Sequence, residues 1–326
     1  MNENKQICQS LRKEFSKSGW ALLIYYGIMN AAVAAVAFVS VIAVVVGSVM
    51  DPNASLFFVM QQLEEAILGN GWGYLLAIVI GSVAMVVWKK KEFCFKTIWK
   101  PGKPLNMKDF FCILAIFVSG QALAQLLTPL LEWIFGLMGI SLNDFIDSAS
   151  TSTDTFSMFL YVCLFAPVSE EILFRGLIMR SLEPYGKKFA ILASAFLFGI
   201  FHCNIVQSPY AFAVGLVLGY VAMEHSMLWS MVLHMINNLL LADTMPRLMQ
   251  NLPLLAQELI FAVVIWGCAI AAIVLLIVRR KEVSAYLKQG KMHPLCLKSF
   301  LTAPGILALT GVLLANIVLT IVLEVL

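Results

Sequence analysis

Long unbroken apolar runs alternate with short polar stretches along the whole chain, and the runs are too long and too continuous for strands. They predict membrane-spanning helices at about 20–50, 73–88, 109–138, 156–181, 187–203, 209–224, 226–242, 256–279 and 303–325. The expected fold is therefore all-α, a polytopic transmembrane helical bundle with eight or nine spans. The runs at 187–203, 209–224 and 226–242 are short, so one of them is a candidate for a broken or re-entrant segment. The polar stretch 1–19 reads as an N-terminal segment that forms a short surface helix, and 51–72 and 139–155 read as loops. The chain divides into that segment, N-terminal membrane helices over 20–150, a core over 151–245 that carries the intramembrane polarity, and C-terminal helices over 246–326.

Charge gives these spans a direction. Of 22 Lys and Arg, four precede the first span, seven fall between the second and third, three lie around the turn after the fourth, and six separate the last two. With the N-terminus inside, all of these are cytoplasmic, as the positive-inside rule requires. Arg175 lies within a span, and Arg247 alone falls outside. The stretches 51–72 and 139–155 contain no Lys or Arg and carry Asp51, Glu64, Glu65, Asp144, Asp147 and Asp154. Composition agrees with a membrane chain: 61% hydrophobic and 13% charged, against roughly 45–50% and 25% for soluble domains. No basic patch with interleaved aromatics exists, so nucleic acid is not an expected partner. The expected partners are the lipid bilayer and a membrane-associated peptide, and oligomeric state is not encoded in any pattern here. The seven cysteines are scattered without a C-x-x-C pair, which argues against a disulfide framework or a thiolate zinc site.

The exception to the apolar pattern is Ser169-Glu170-Glu171-Ile172-Leu173-Phe174-Arg175-Gly176, which follows the largely apolar Tyr161–Val168. A charge near the bilayer centre costs roughly 2.5–3.5 kcal/mol on insertion scales, so these side chains must pair or face a polar cavity. Glu171 and Arg175 are i,i+4 neighbours able to neutralise each other. Glu170 sits about 100° round the helix and needs another environment. Two further apolar helices hold His202, with Phe198 one turn before it, and His234, with Asn238 one turn after and Asn237 beside that. His225 and His293 lie in polar loops and read as solvated.

A carboxylate, two imidazoles and an amide form a coherent set for peptide hydrolysis. A base deprotonates water, a second group holds it, and donors receive the oxyanion. A carboxylate against apolar walls is a better base than one in water. Glu170, His202 and His234 are equally a possible zinc set with one position left for water. There is no H-E-x-x-H. Cys203 beside His202 is not an expected nucleophile, because adjacent helix positions diverge by about 100°. Two other classes use the same residues: a transporter or channel with the buried charges as an ion or proton path, and a non-catalytic peptide-binding immunity protein. No inverted repeats support the first.

Glu170-Glu171-x-x-x-Arg175, Phe198-x-x-x-His202 and His234-x-x-x-Asn238, in this order, resemble the three motifs of the CAAX-type prenyl endopeptidase family and its bacterial relatives, the CPBP or Abi group of intramembrane proteases. The resemblance covers about residues 155–245. It implies that Glu170 activates the hydrolytic water and His202 helps to hold it. It further implies that His234 and Asn238 donate to the oxyanion, while Glu171, Arg175 and Phe198 support them. The family is described both as metallo-enzymes and as metal-free. No cofactor is required by the metal-free reading, and zinc is the alternative. Bacterial relatives are linked to peptide maturation and self-immunity, which implies a bacterial plasma membrane. The expected site is a polar, water-filled cavity formed by Glu170, His202, His234 and Asn238, entered laterally or from the cytoplasm.

One expectation concerns depth. Straight helices place Glu170 and His202 about 12 Å apart along the membrane normal. A shared site requires the helix of His202 to tilt, start deeper, or follow an interfacial turn near Pro184-Tyr185-Gly186.

Overall fold

The computed structural model describes residues 3–51, 53–143, 145–146, 153–289 and 294–325. Asp144, Asp147, the run 148–152, Lys291 and His293 lie outside the described residues. The elements are helical throughout: α1 (Glu3–Met50), α2 (Leu56–Leu68), α3 (Trp72–Lys89), α4 (Lys91–Phe95), α5 (Met107–Val118), α6 (Gly120–Gly136), α7 (Phe156–Tyr185), α8 (Lys187–Phe201), α9 (Gln207–Glu224), α10 (227–249), α11 (Leu254–Val278), α12 (Arg280–Lys288), α13 (Leu295–Leu301) and α14 (Pro304–Val325).

Six helical segments are long and apolar enough to cross a bilayer: Glu3–Met50, Leu56–Lys89, Met107–Gly136, Phe156–Tyr185, Leu254–Val278 and Pro304–Leu323. The short runs that become α8, α9 and α10 are not among these six, because α8 has only 15 residues and α9 and α10 mix polar residues into their apolar text. The outer faces of α1, α11 and α14 expose Phe38, Val49, Val263, Ile270 and Val318. Such apolar outer faces suit a multi-pass membrane protein surrounded by lipid.

Two expectations at the N-terminal end are revised. Residues 3–19 do not form a separate surface helix: α1 is one helix of 48 residues from Glu3, about 72 Å long. Its early residues are held by the core. Phe15 is fully buried, with its ring 5.0, 5.2 and 6.0 Å from those of Tyr185, Phe189 and Phe300. The stretch 51–72 is likewise not simply a loop. Ser55 accepts a hydrogen bond from the Phe58 amide at 3.2 Å and caps α2, an N-cap arrangement that Ser favours. The acidic pair Glu64 and Glu65 disguised this helix as a loop.

α1 packs against α3 and α14. Gly19 and Gly305 meet where α1 crosses α14, and a Cβ on either would overlap the backbone of the other helix. Small residues allow this close approach in membranes, where apolar attraction between helices is weak.

At the centre lies α7, whose run Leu173–Met179 is buried throughout. α8, α9 and α10 pack around it. Two stretches of α7, Leu160–Phe165 and Glu171–Met179, and one of α10, Asn237–Thr244, are wound as π-helix. π-Helix is rare and recurs at functional sites. All three stretches lie beside residues singled out by the sequence.

Candidate active site

Glu170 closes a regular turn of α7 and Glu171 opens its π-helical stretch. The two carboxylates consequently meet different surroundings. Glu171 is fully buried. Its Oε1 lies 3.1 Å from Arg175 Nη1 and 3.0 Å from His234 Nδ1, and its Oε2 accepts from the Ser230 hydroxyl at 2.5 Å. Arg175 is also buried, with its guanidinium carbon 4.1 Å from the centroid of the Phe198 ring, and it donates from Nη2 to the Gly215 carbonyl at 3.3 Å. Its Nε and Nη1 make no hydrogen bond among the described residues, so Nη1 meets Glu171 as an ion pair only. A buried pair is tolerable only when extra hydrogen bonds and good geometry offset desolvation, and Ser230, His234 and Phe198 supply these.

Glu170 keeps 30% of its side chain exposed. Its Oε2 stands 3.7 Å from His234 Nε2, beyond a hydrogen bond but within reach through a small shift. His234 thus lies between the two carboxylates. Glu171, when ionised, is an acceptor only, so the Nδ1 facing it carries the proton. In neutral His234, Nε2 is then a lone pair aimed toward Glu170, and donation from Nε2 requires the imidazolium form.

His202 shows the same preference by another route. Its Nδ1 lies 2.8 Å from the Phe198 carbonyl, an acceptor, so Nδ1 donates and the neutral ring presents Nε2 as a lone pair. The Phe198 ring packs edge-on against both imidazoles, with centroids 4.8 Å from His202 and 5.8 Å from His234. Phe198 therefore holds Arg175, His202 and His234 around one ring. A short turn at Glu183–Tyr185 and Gly186, at φ 122°, launch α8 directly. The C-terminal end of α8 reaches the site, since Phe198 contacts His202 and His234. Cys203, just beyond α8, adopts a left-handed φ of 50°. Its Sγ lies 3.9 Å from the Tyr26 hydroxyl. That thiol has a structural neighbour.

Asn238 is held at both ends of its amide. It donates to the Val162 carbonyl at 2.9 Å and accepts from Asn237 Nδ2 at 3.0 Å. Asn237 Oδ1 in turn accepts from the Tyr210 hydroxyl at 2.8 Å and Gln121 Nε2 at 3.2 Å. This chain of bonds links α6, α9, α10 and the first π-helical stretch of α7. Sequence reasoning missed Ser230, Tyr210 and Gln121. Ser230 stands one turn before His234 on the same face, and Gln121, with Gln125 one turn on, is an amide in an apolar run; both were visible as intramembrane polar groups.

A small cavity lies beside Glu170. It is lined by Glu170 and Ser169 with Tyr25 of α1, Tyr74 of α3, Tyr161 of α7 and Phe201; neither histidine nor Asn238 lines it. It leaves about 20 Å³ for the centres of water-sized molecules, room for one water. Tyr74 and Tyr161 stack with centroids 4.4 Å apart and planes at 18°. Gly81 makes room for the Tyr25 ring, which a Cβ there would overlap.

Among the described residues no group of three His, Cys, Asp or Glu is placed to hold a metal ion. Glu171 at His234 Nδ1 and the Phe198 carbonyl at His202 Nδ1 leave Nε2 of each ring as the lone-pair nitrogen, the orientation that a water-holding histidine and a metal-ligating histidine both need. Arg247, the one basic residue assigned outside, bonds Asp243 at 2.7 Å and the Thr153 carbonyl at 2.6 Å. It ties the start of α7 to the end of α10.

Residues 152–240 match the family model described as Type II CAAX prenyl endopeptidase Rce1-like. No curated protein and no solved structure matches the chain.

Proposed function

We propose that this protein is a CAAX-type intramembrane endopeptidase that hydrolyses a peptide bond in an apolar or membrane-associated peptide, with Glu170 as the base. The observation that carries this reading is the contrast at positions 170 and 171. Both oxygens of Glu171 are engaged by Arg175, His234 and Ser230. Glu170 keeps 30% of its side chain exposed, with a histidine nitrogen 3.7 Å away. The match of residues 152–240 supports the same class.

In this reading Glu170 removes a proton from water, and the lone pair at His202 Nε2 accepts the second hydrogen to orient it. The proton held by Glu170 then passes to the leaving amine. Glu171 fixes the ring of His234, which donates from Nε2 to the oxyanion as imidazolium. Asn238 supplies a second donor once the substrate carbonyl competes with that of Val162. The finer topology is eight or nine spans, with α8, α9 and α10 crossing as short helices and the N-terminus cytoplasmic in a bacterial plasma membrane. Peptide maturation or self-immunity is the expected role.

The test is cleavage of an apolar peptide library by purified protein in detergent, comparing wild type with Glu170→Ala and His202→Ala, each with and without chelator. Cleavage lost in both variants and indifferent to chelator is the expected result. Cleavage abolished by chelator and restored by zinc moves the site to a metal mechanism. Variants as active as wild type remove the protease reading.

A further inference from the structure

We infer that the cavity beside Glu170 is a subsite that accepts one small residue of the substrate, with room for an alanine methyl group or an unfilled place at glycine, next to the bond that is cut. On this inference Tyr25, Tyr74 and Tyr161 set its size. It rests on the protease reading and adds a sequence preference to it. Glu170 lines the cavity itself, so whatever fills it lies against the carboxylate. The remaining lining is almost entirely apolar or aromatic and includes Met29, Ala77 and Ile78. Such a lining suits a hydrocarbon group rather than a charged one.

Its size is the deciding quantity. About 20 Å³ of room for water centres takes one water, and a methyl group is of similar size. A leucine or phenylalanine side chain enters only if the wall gives way. The wall is braced. The Tyr74 and Tyr161 rings are stacked, and Tyr25 is buried and wedged over Gly81. Ala77, at the back, is itself buried. The bracing helices α1 and α3 lie outside the matched stretch 152–240. The same catalytic core with other outer helices would accept other residues.

The experiment uses the full chain in detergent and a library of apolar peptides varied at each position through Gly, Ala, Val, Leu and Phe, with cut sites read by mass spectrometry. Wild type is expected to cut beside Gly or Ala. Tyr74→Ala is expected to raise cutting beside Leu and Phe by about tenfold or more relative to Ala, the usual scale for apolar pocket volume. Tyr74→Phe, which keeps the ring, is expected to leave the preference unchanged. If Tyr74→Ala fails to elute as a folded species, Ala77→Val tests the wall from the opposite direction and is expected to confine cutting to Gly. Glu170-dependent cleavage whose size preference is absent, or is unmoved by these changes, overturns the subsite and leaves the protease reading standing. No cleavage, or cleavage that survives Glu170→Ala, removes both.

Discussion

The two sides of α7 treat adjacent carboxylates in opposite ways. Toward α9 and α10, Glu171 is sealed among Arg175, His234 and Ser230 with no exposure. Toward α1 and α3, Glu170 borders a tyrosine-lined cavity, and His234 Nε2 stands 3.7 Å from it. One side spends its polar groups on holding four helices in register. The other keeps a carboxylate unspent. Two identical side chains one residue apart thus divide into a structural anchor and a reactive group, through packing alone.

The largest expected effect comes from breaking the sealed side. Glu171→Leu leaves Arg175 buried without its counter-charge and is expected to cost about 3–5 kcal/mol of stability. Thermal unfolding in detergent micelles measures it. The double variant Glu171→Leu/Arg175→Met should lose less than Glu171→Leu alone, since no isolated charge remains. A single variant that unfolds at the wild-type temperature would erase the distinction between the two sides.

Glu170→Gln probes the open side. Peptide cleavage should fall about 10²–10⁴-fold, the usual contribution of a positioned base. Its unfolding temperature should stay near that of wild type, because Glu170 makes no close pair. A large drop in that temperature would reclassify Glu170 as a second anchor.

Gly81→Ala sharpens the contrast from outside the core. Its Cβ meets the Tyr25 ring, so overpacking should cost about 1–3 kcal/mol. The displaced ring should narrow the cavity and lower cleavage while leaving the Glu171 cluster intact. Full activity in a destabilised Gly81→Ala protein would detach Tyr25 from the site. The smallest change is Tyr210→Phe, which removes one bond to Asn237. Interhelical hydrogen bonds in membranes average about 0.6 kcal/mol, so stability should shift little. Cleavage should show a reduced kcat with an unchanged KM if Asn238 acts on the transition state.

Much of this molecule follows from local rules. Apolar runs of membrane length mark the long helices, since a backbone in lipid must satisfy its own hydrogen bonds. The pairing of Glu171 with Arg175 follows from i,i+4 spacing. The three motifs that single out Glu170, His202, His234 and Asn238 lie within short windows, and they are legible in order. α2 was hidden, because an acidic, Lys-free stretch reads as a loop until the Ser55 cap is seen in place.

Other features depend on groups far apart in the chain. Glu170 and Glu171 are chemically identical, and their roles separate only where Ser230 and His234 arrive from α10. The proton position on each histidine is set by the Phe198 carbonyl and Glu171, not by any spacing of the histidines. The cavity wall joins Tyr25, Tyr74 and Tyr161 from α1, α3 and α7. Helical periodicity says which residues share a face of one helix. It says nothing about which face of another helix they meet. The sequence by itself determined the membrane helices and the residues capable of chemistry. The packing of those helices decided which carboxylate is spent, because burial and hydrogen-bond partners exist only once distant segments meet.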